Sequence, residues 1–517
     1  MKLGWLAAVA AFACLTPAAA QEPKPGGELR IAISGDITSS EPGVRRSGDA
    51  DTVLHHVVEA LVAYREDLSI APMLAESYAM SPDGRSYTFK LRDGITFHNG
   101  APMTSADVKW SWDRMLDPAT RWQCRGWYDG TQDMKIEAIE TPDPKTVVFR
   151  LAAPSALFLH YVANIQCMTG ILHRDSVNAA GEWVKPIGTG PFAFTEWRKN
   201  SFILLKKFAD YKSRSEPTSG YAGARKAYVD QVRWMVVPDD ATRRAGLQAG
   251  QIDWIITDVA DIVELRAAKG VKVATAQGLS WNVLLIQTRD PLLADPRIRK
   301  ALAHAIDLKT LVENRTDGLG KPNPSAIPTT SGSHTAIHDQ GYTYDPDLAR
   351  KLLKEAGYDG RPIKLQTSQK LVHLYDTAII LQAMLKQAGF NVELDMLEWA
   401  TQLDRYSKGN FQLQSFRFTA RFDPSFNYKT FVGSKDEDAD VQWEDKRAVE
   451  LLLASATELD PAKRQAMFDE MHQRMIEQVP IISLYNTPLV EASTDRIAGV
   501  ELTSSGKTRA WGVWVTK

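Results

Sequence analysis

The stretch Ser415-Phe416-Arg417-Phe418-Thr419-Ala420-Arg421-Phe422-Asp423-Pro424 sets two guanidinium groups and one carboxylate among aromatic rings. A guanidinium is a planar fork of donors that grips a carboxylate or phosphate through two parallel hydrogen bonds. The chemistry offered is capture of an anion by Arg417 or Arg421, with no bond made or broken. On an ideal strand Arg417, Thr419 and Arg421 share one face, opposite Phe416, Phe418 and Ala420. Asp423 is the group that could instead take an ammonium. Catalytic signatures are missing: there is no GxSxG, HExxH or GxGxxG. Gly506-Lys507-Thr508 resembles the end of a phosphate loop, but the glycine that motif needs at 501 is Glu501, so 504–507 reads as a surface turn. His55-His56 lies on a predicted helix, where adjacent side chains diverge by about 100° and do not converge on one ion. Both read as exposed or half-packed. His98-Asn99-Gly100 reads as a structural turn. No catalytic residue, metal ligand or cofactor is expected.

The chain of 517 residues carries 61 Lys+Arg against 63 Asp+Glu, a balance that argues against a nucleic-acid binder. Its 44% apolar and 24% charged residues exclude wholesale disorder, and its length calls for at least two lobes. Lys2, the apolar run Leu3 to Leu15 and Ala18-Ala19-Ala20 form a secretory signal peptide over residues 1–20. The run is too short to span a bilayer, which takes about 20 apolar residues. Lipid anchoring at Cys14 is disfavoured by bulky Phe12 just before it, so the mature chain is expected in the periplasm. Removing the leader leaves Cys124 and Cys167. An even count in an exported chain implies a disulfide, the alternative being two buried free thiols. Trp122 and Trp127 are expected to pack around it.

The remaining sequence reads as α/β. Strands are predicted at 28–34, 86–92, 146–151, 192–197, 202–208, 232–237, 281–287, 391–397 and 412–418. A helix is predicted from Thr52 to Val62, and another after Thr104, which with Asp107 forms a capping box. Asp295-Pro296, Asp345-Pro346 and Asp460-Pro461 each open a helix, Asp supplying the cap and Pro the first helical position. The first of these is predicted to run unbroken through Ile298, Leu302, Ile306 and Leu311 to Gly318. Residues 375–388 form a further helix, and 316–342 a loop.

Four blocks carry a resemblance: PMLAESYAMSPDGRSYTFKLRDGITFHNGAPMTSADVKWSWDRMLDP at 72–118, Gly188-Thr189-Gly190-Pro191-Phe192, DPRIRKALAHAIDLKTLV at 295–312, and YDPDLARKLLKEAGY at 344–358. Together they resemble the family 5 solute-binding proteins of ABC importers, the dipeptide, oligopeptide and nickel type. The resemblance implies a bilobal periplasmic-binding-protein fold (type II, cluster C) with an extra inserted domain. Lobe I would comprise 21–52, 186–276 and 488–517, the inserted domain 53–185, and lobe III 277–487. A ligand held in the cleft would favour closure, and the closed form, a monomer, would dock on an inner-membrane permease. An exported hydrolase, or a chaperone-like or adhesive use of the same scaffold, are the competing classes.

In peptide-binding relatives an aspartate on the strand before the Asp-Pro turn pairs with the ligand's α-ammonium. Matching on Asp423-Pro424 puts Ala420 there, and a methyl group cannot hold an ammonium in a desolvated cleft. The resemblance therefore points to a polar or anionic ligand, the alternative being a peptide held by Asp423. The arginine face opposes the Ala420 face, so both arginines could point away from the cleft. By position in relatives, Trp281, Asn282, Trp399, Tyr428 and Trp511 join Arg417, Thr419, Ala420, Arg421 and Asp423 as candidate ligand contacts.

Overall fold

The structure is a computed structural model that describes residues 22–516. The expected leader and Cys14 lie outside the described residues. A single ten-stranded sheet runs through the molecule. From one edge its strands are Val392–Met396, Ile363–Thr367, Leu413–Phe418, Val271–Ile286, Ile481–Thr494, Trp254–Thr257, Glu28–Ile33, Gln231–Val236, Phe202–Lys207 and Phe192–Arg198. Helices interleave with these strands, as the sequence pattern predicts. A separate four-stranded antiparallel sheet (Ala75–Met80, Ser86–Leu91, Thr146–Leu151, Ile136–Asp143) lies within the segment between the first two strands in sequence of the large sheet. Helix Ser105–Leu116 contacts it, and Asp107 accepts from the Thr104 N–H at 2.9 Å in the expected capping box.

Two long antiparallel strands, Val271–Ile286 and Ile481–Thr494, join the two halves of the large sheet. Their register slips between Gln277 and Trp281. At Gly278 any Cβ would come within 2.5 Å of the Thr487 carbonyl oxygen, so glycine is what lets the backbones approach there. The half bearing Trp281 is built on apolar clusters, one around Leu284, Leu302 and Leu381 and another around Trp281, Phe431 and Phe468.

Two predicted helices are corrected. The expected helix Thr52–Val62 is instead Gly48–Leu54, capped by the Ser47 side chain, and Val62–Tyr64 is a strand. The apolar residues after Leu54 are buried by a crossing chain: the carbonyls of Val57 and His56 accept from Gly190 N and Phe192 N at 3.0 and 3.1 Å. That crossing explains the Gly188-Thr189-Gly190 block, since a Cβ at Gly188 would sit 2.1 Å from the Val57 oxygen. The expected single helix after Asp295 is two, Pro296–His304 and Leu308–Thr316. Asp307 caps the second, accepting from Thr310 N at 3.0 Å, and both helices bury their apolar residues in one core, which made the stripe read as continuous.

His55 and His56 are buried, correcting the half-packed reading. His55 donates to the Ile165 carbonyl at 2.8 Å, while His56 donates to Thr52 O and accepts from Ala510 N, both at 2.9 Å. Burial pushes both imidazoles down to about 3. His98 bonds the Gly190 carbonyl at 3.0 Å in its turn.

Candidate ligand cleft

Arg421 reaches a cavity because the strand before it stops. Pairing of Leu413–Phe418 with the long strand ends at Phe418 opposite Trp281. Up to that point the chain alternates: Phe416 and Phe418 pack on the Trp281 side, with the Trp281 and Phe418 rings 5.1 Å apart. Past the ladder nothing enforces alternation, and Thr419, Ala420, Arg421 and Phe422 all line one cavity of about 480 Å³. The two-face expectation thus holds only through residue 418, because alternation belongs to paired strand.

The facing wall comes from Trp127, Tyr161, Asn164 and Gln166, with Arg46 beside them. Phe426, Lys429 and Thr430, in and just after helix Pro424–Lys429, complete it. A disulfide joins Cys124 to Cys167 with Cα atoms 6.0 Å apart. It ties the loop carrying Trp127 to the loop carrying Gln166. Asn164 stiffens the latter, its Oδ1 accepting from Gln166 N and Cys167 N at 2.8 and 3.0 Å. Trp122 is buried and stacks 5.5 Å from Tyr128, whereas Trp127 turns its ring to Tyr161 at the cavity wall.

Arg421 donates to the Thr419 hydroxyl at 2.6 Å and to the Thr419 and Ala420 carbonyls at 3.3 and 3.2 Å. It has no carboxylate partner among the described residues. Burial lowers its pKa, and the Arg46 charge adds to that. Arg46 is half satisfied: one nitrogen bonds Asp51 at 2.8 Å and its Nε is buried without a partner. Lys429 is paired with Asp133 across the cavity edge. The site is therefore positive where Arg421 sits and offers donors to a guest.

Asp423 is committed elsewhere. Its carboxylate takes both arms of Arg464 at 2.8 and 2.6 Å and the Ser425 N–H at 2.9 Å, and His160 lies 3.5 Å away. Burial alone would raise its pKa, but the Arg464 and His160 charges and these hydrogen bonds win and hold it at about 2. A carboxylate that is 2% exposed and already paired is poorly placed to receive an ammonium.

Arg417 lies in a polar row across three strands. It is registered opposite Asn282, which is registered opposite Tyr485. The Arg417 guanidinium makes no hydrogen bond among the described residues, and burial, reinforced by the neighbouring Arg315 charge, lowers its pKa. Asn282 donates to Thr487 Oγ1 at 2.9 Å, leaving its own Oδ1 buried and unmatched. Among the described residues the Arg315 guanidinium donates only to the His373 carbonyl, at 3.4 Å.

Residues 69–439 match the family described as bacterial extracellular solute-binding proteins, family 5 Middle. The chain belongs to this family. Family 5 proteins are solute-binding components of ABC importers and not enzymes, which removes the hydrolase class. A similar curated relative is the glutathione-binding protein GsiB of Pectobacterium atrosepticum, 25% identical over 96% of this chain and 95% of its own. Among solved structures, AgaA of A. tumefaciens in complex with agropinic acid is 26% identical, covers 95% of this chain and 99% of its own, and has a TM-score of 0.73. DppA of Helicobacter pylori in complex with the peptide STSA is 26% identical with a TM-score of 0.76, over 96% and 99%. These neighbours share the bilobal, mixed α/β architecture of the family 5 fold. Among the described residues no helix is long and apolar enough to cross a membrane.

In this family 5 chain the remaining candidate residues have definite places. Trp281 and Tyr428 are fully enclosed in the core around Phe431. Trp511 is 3% exposed and packs on His56 and under the Arg225 guanidinium, 4.8 Å from each. Trp399 opens helix Trp399–Ser407 with its ring 5.9 Å from Phe416. None of these four lines the cavity, whereas Thr419, Ala420 and Arg421 do. Arg46, Trp127, Tyr161 and Gln166 are cavity residues that sequence reasoning missed. Gln166 lies next to Cys167, and that adjacency is the one signal that could have marked it.

Proposed function

We propose that this protein is exported to the periplasm with its leader removed near Ala20. There, as a monomer, it traps a small organic anion and hands it unchanged to an inner-membrane permease. Arg421 is the clamp, assisted by Arg46, with Thr419 and Ala420 beside the guest and Arg417 at the second polar row. The lobes are 21–52 with 186–276 and 488–517, the inserted domain 53–185, and 277–487. In favour of this division, the cavity draws one wall from Trp127 to Gln166 and another from Thr419 to Thr430.

One observation carries the reading: a guanidinium lining a cavity, with no carboxylate among the described residues to neutralise it. A half-buried cation without a counter-charge is costly unless a guest supplies one. The commitment of Asp423 to Arg464 weighs against a peptide amine. That AgaA holds an acid agrees with the reading. The peptide alternative draws on GsiB and DppA, whose ligands are peptides.

Mass spectrometry of the small molecule that co-purifies with the protein from its native host tests the proposal. A carboxylate- or phosphate-bearing compound without a free α-amine is expected. A peptide whose binding is lost on N-acetylation would overturn it.

A further inference from the structure

The cavity at Arg421 is not closed on every side. A second space, of about 820 Å³, adjoins it and shares four wall residues with it: Gln132, Asp133, Phe426 and Lys429. The Asp133–Lys429 ion pair lies at this shared boundary. The two spaces differ in character. The inner one holds Arg421 and Arg46. The outer one is lined by aliphatic side chains, among them Leu157, Val432, Val449, Leu452 and Leu453. Leu453 is 67% exposed. A helix face that displays Leu453 beside half-buried Val449 and Leu452, against a neighbouring cavity, is apolar surface held available for cover.

The same space is also lined by Glu437, Glu444 and Glu450 against Lys446, with Glu444 paired to Arg289 at 2.6 Å. A second anionic group is therefore disfavoured there, and a neutral apolar one is not. Continuity with the anion site fixes which occupant fits: the far end of the same guest.

We propose that the ligand is an amphiphilic anion. Its acid lies at Arg421, and an apolar arm passes the Asp133–Lys429 pair into the aliphatic space beside Leu453. This rests on the anion reading of the inner cavity and adds the ligand's class to it. Lys429 then acts at the junction, its ammonium held aside by Asp133 so that its methylene stem flanks the arm.

The test is calorimetric titration of the full mature protein, freed of co-purified ligand, with N-acetylglycine, N-hexanoylglycine and N-decanoylglycine. Affinity should rise along the series, about three- to fourfold for each methylene that becomes buried. Leu453→Asp should collapse the decanoyl-to-acetyl ratio of Kd values, while Leu453→Met keeps it. The exposure of Leu453 makes either substitution compatible with folding. Equal affinity for all three probes overturns the arm but leaves the anion site standing. A length dependence untouched by Leu453→Asp puts the arm elsewhere and also overturns the proposal. No binding of any probe overturns the anion reading itself.

Discussion

Arginines 421 and 464 lie on either side of Asp423 in the structure's logic, and their substitution separates a ligand clamp from a structural ion pair. In Arg464→Ala, Asp423, 2% exposed in the wild type, loses the bidentate partner at 2.6 and 2.8 Å. A buried charge stripped of its partner costs about 3–5 kcal/mol, so the urea midpoint should fall sharply. Arg421 strands no charged group when removed, because among the described residues its guanidinium bonds only to Thr419 and Ala420. Arg421→Ala should leave the ligand-free protein within about 0.5 kcal/mol of wild type, or slightly above it, since a half-buried charge without a counter-ion is deleted. Its effect should appear on binding. A charge-assisted hydrogen bond contributes about 1.5–3 kcal/mol, so the Kd for N-acetylglycine or the recovered ligand should rise about 10- to 150-fold. The assay is urea unfolding of both ligand-free variants beside calorimetric titration. Early unfolding of Arg421→Ala with unchanged affinity would refute the clamp and make Arg421 a structural residue like Arg464.

Three other outcomes follow from the geometry. Glu491 is 3% exposed on the second long strand and accepts from Trp254 Nε1 at 2.7 Å; burial raises its pKa to about 7, against the Trp254 bond and the Arg509 charge. Because the folded pKa lies above the unfolded one, its stabilising effect is complete below about pH 4.5 and is lost as pH rises to about 7. Glu491→Gln, which cannot ionise, should be more stable than wild type by about 3 kcal/mol at pH 8 and equal to it near pH 4. Parallel stability–pH curves would contradict this. Replacing both Cys124 and Cys167 by Ala opens a cross-link spanning a sequence separation of 43. That should cost about 4 kcal/mol by loop entropy and weaken binding through the loops of Trp127 and Gln166; unfolding with and without reductant checks it. Gly278→Ala forces a methyl against the Thr487 carbonyl, and the long strands must part at a cost of about 1–3 kcal/mol, read as a lower denaturation midpoint.

Local signals were strong wherever one short segment decides the outcome. The Asp-Pro pairs at 295, 345 and 460 each start a helix, with Asp accepting from the backbone of the first turn, because cap chemistry needs only neighbouring residues. The family blocks are legible for the same reason: Gly188 and Gly190 are demanded by a close crossing of backbone, and such demands mark the residue type itself. The helix expected at Thr52–Val62 differs because Val57, Val58, Leu61 and Val62 are buried by distant chain segments rather than along a helical stripe.

The sequence by itself determined the family and the α/β class, since these rest on residue types at fixed spacing, and it pointed to a Cys124–Cys167 bridge only through even count and export, with free thiols as the alternative that the structure removes. Only the tertiary structure decided what faces the guest. Asp423 and Arg421 are two residues apart, yet one is spent on Arg464, forty-one positions away, and the other opens onto a cavity walled by residues some 250 positions earlier. Whether a charge is neutralised or free depends on which distant group folds against it, and linear spacing carries no record of that.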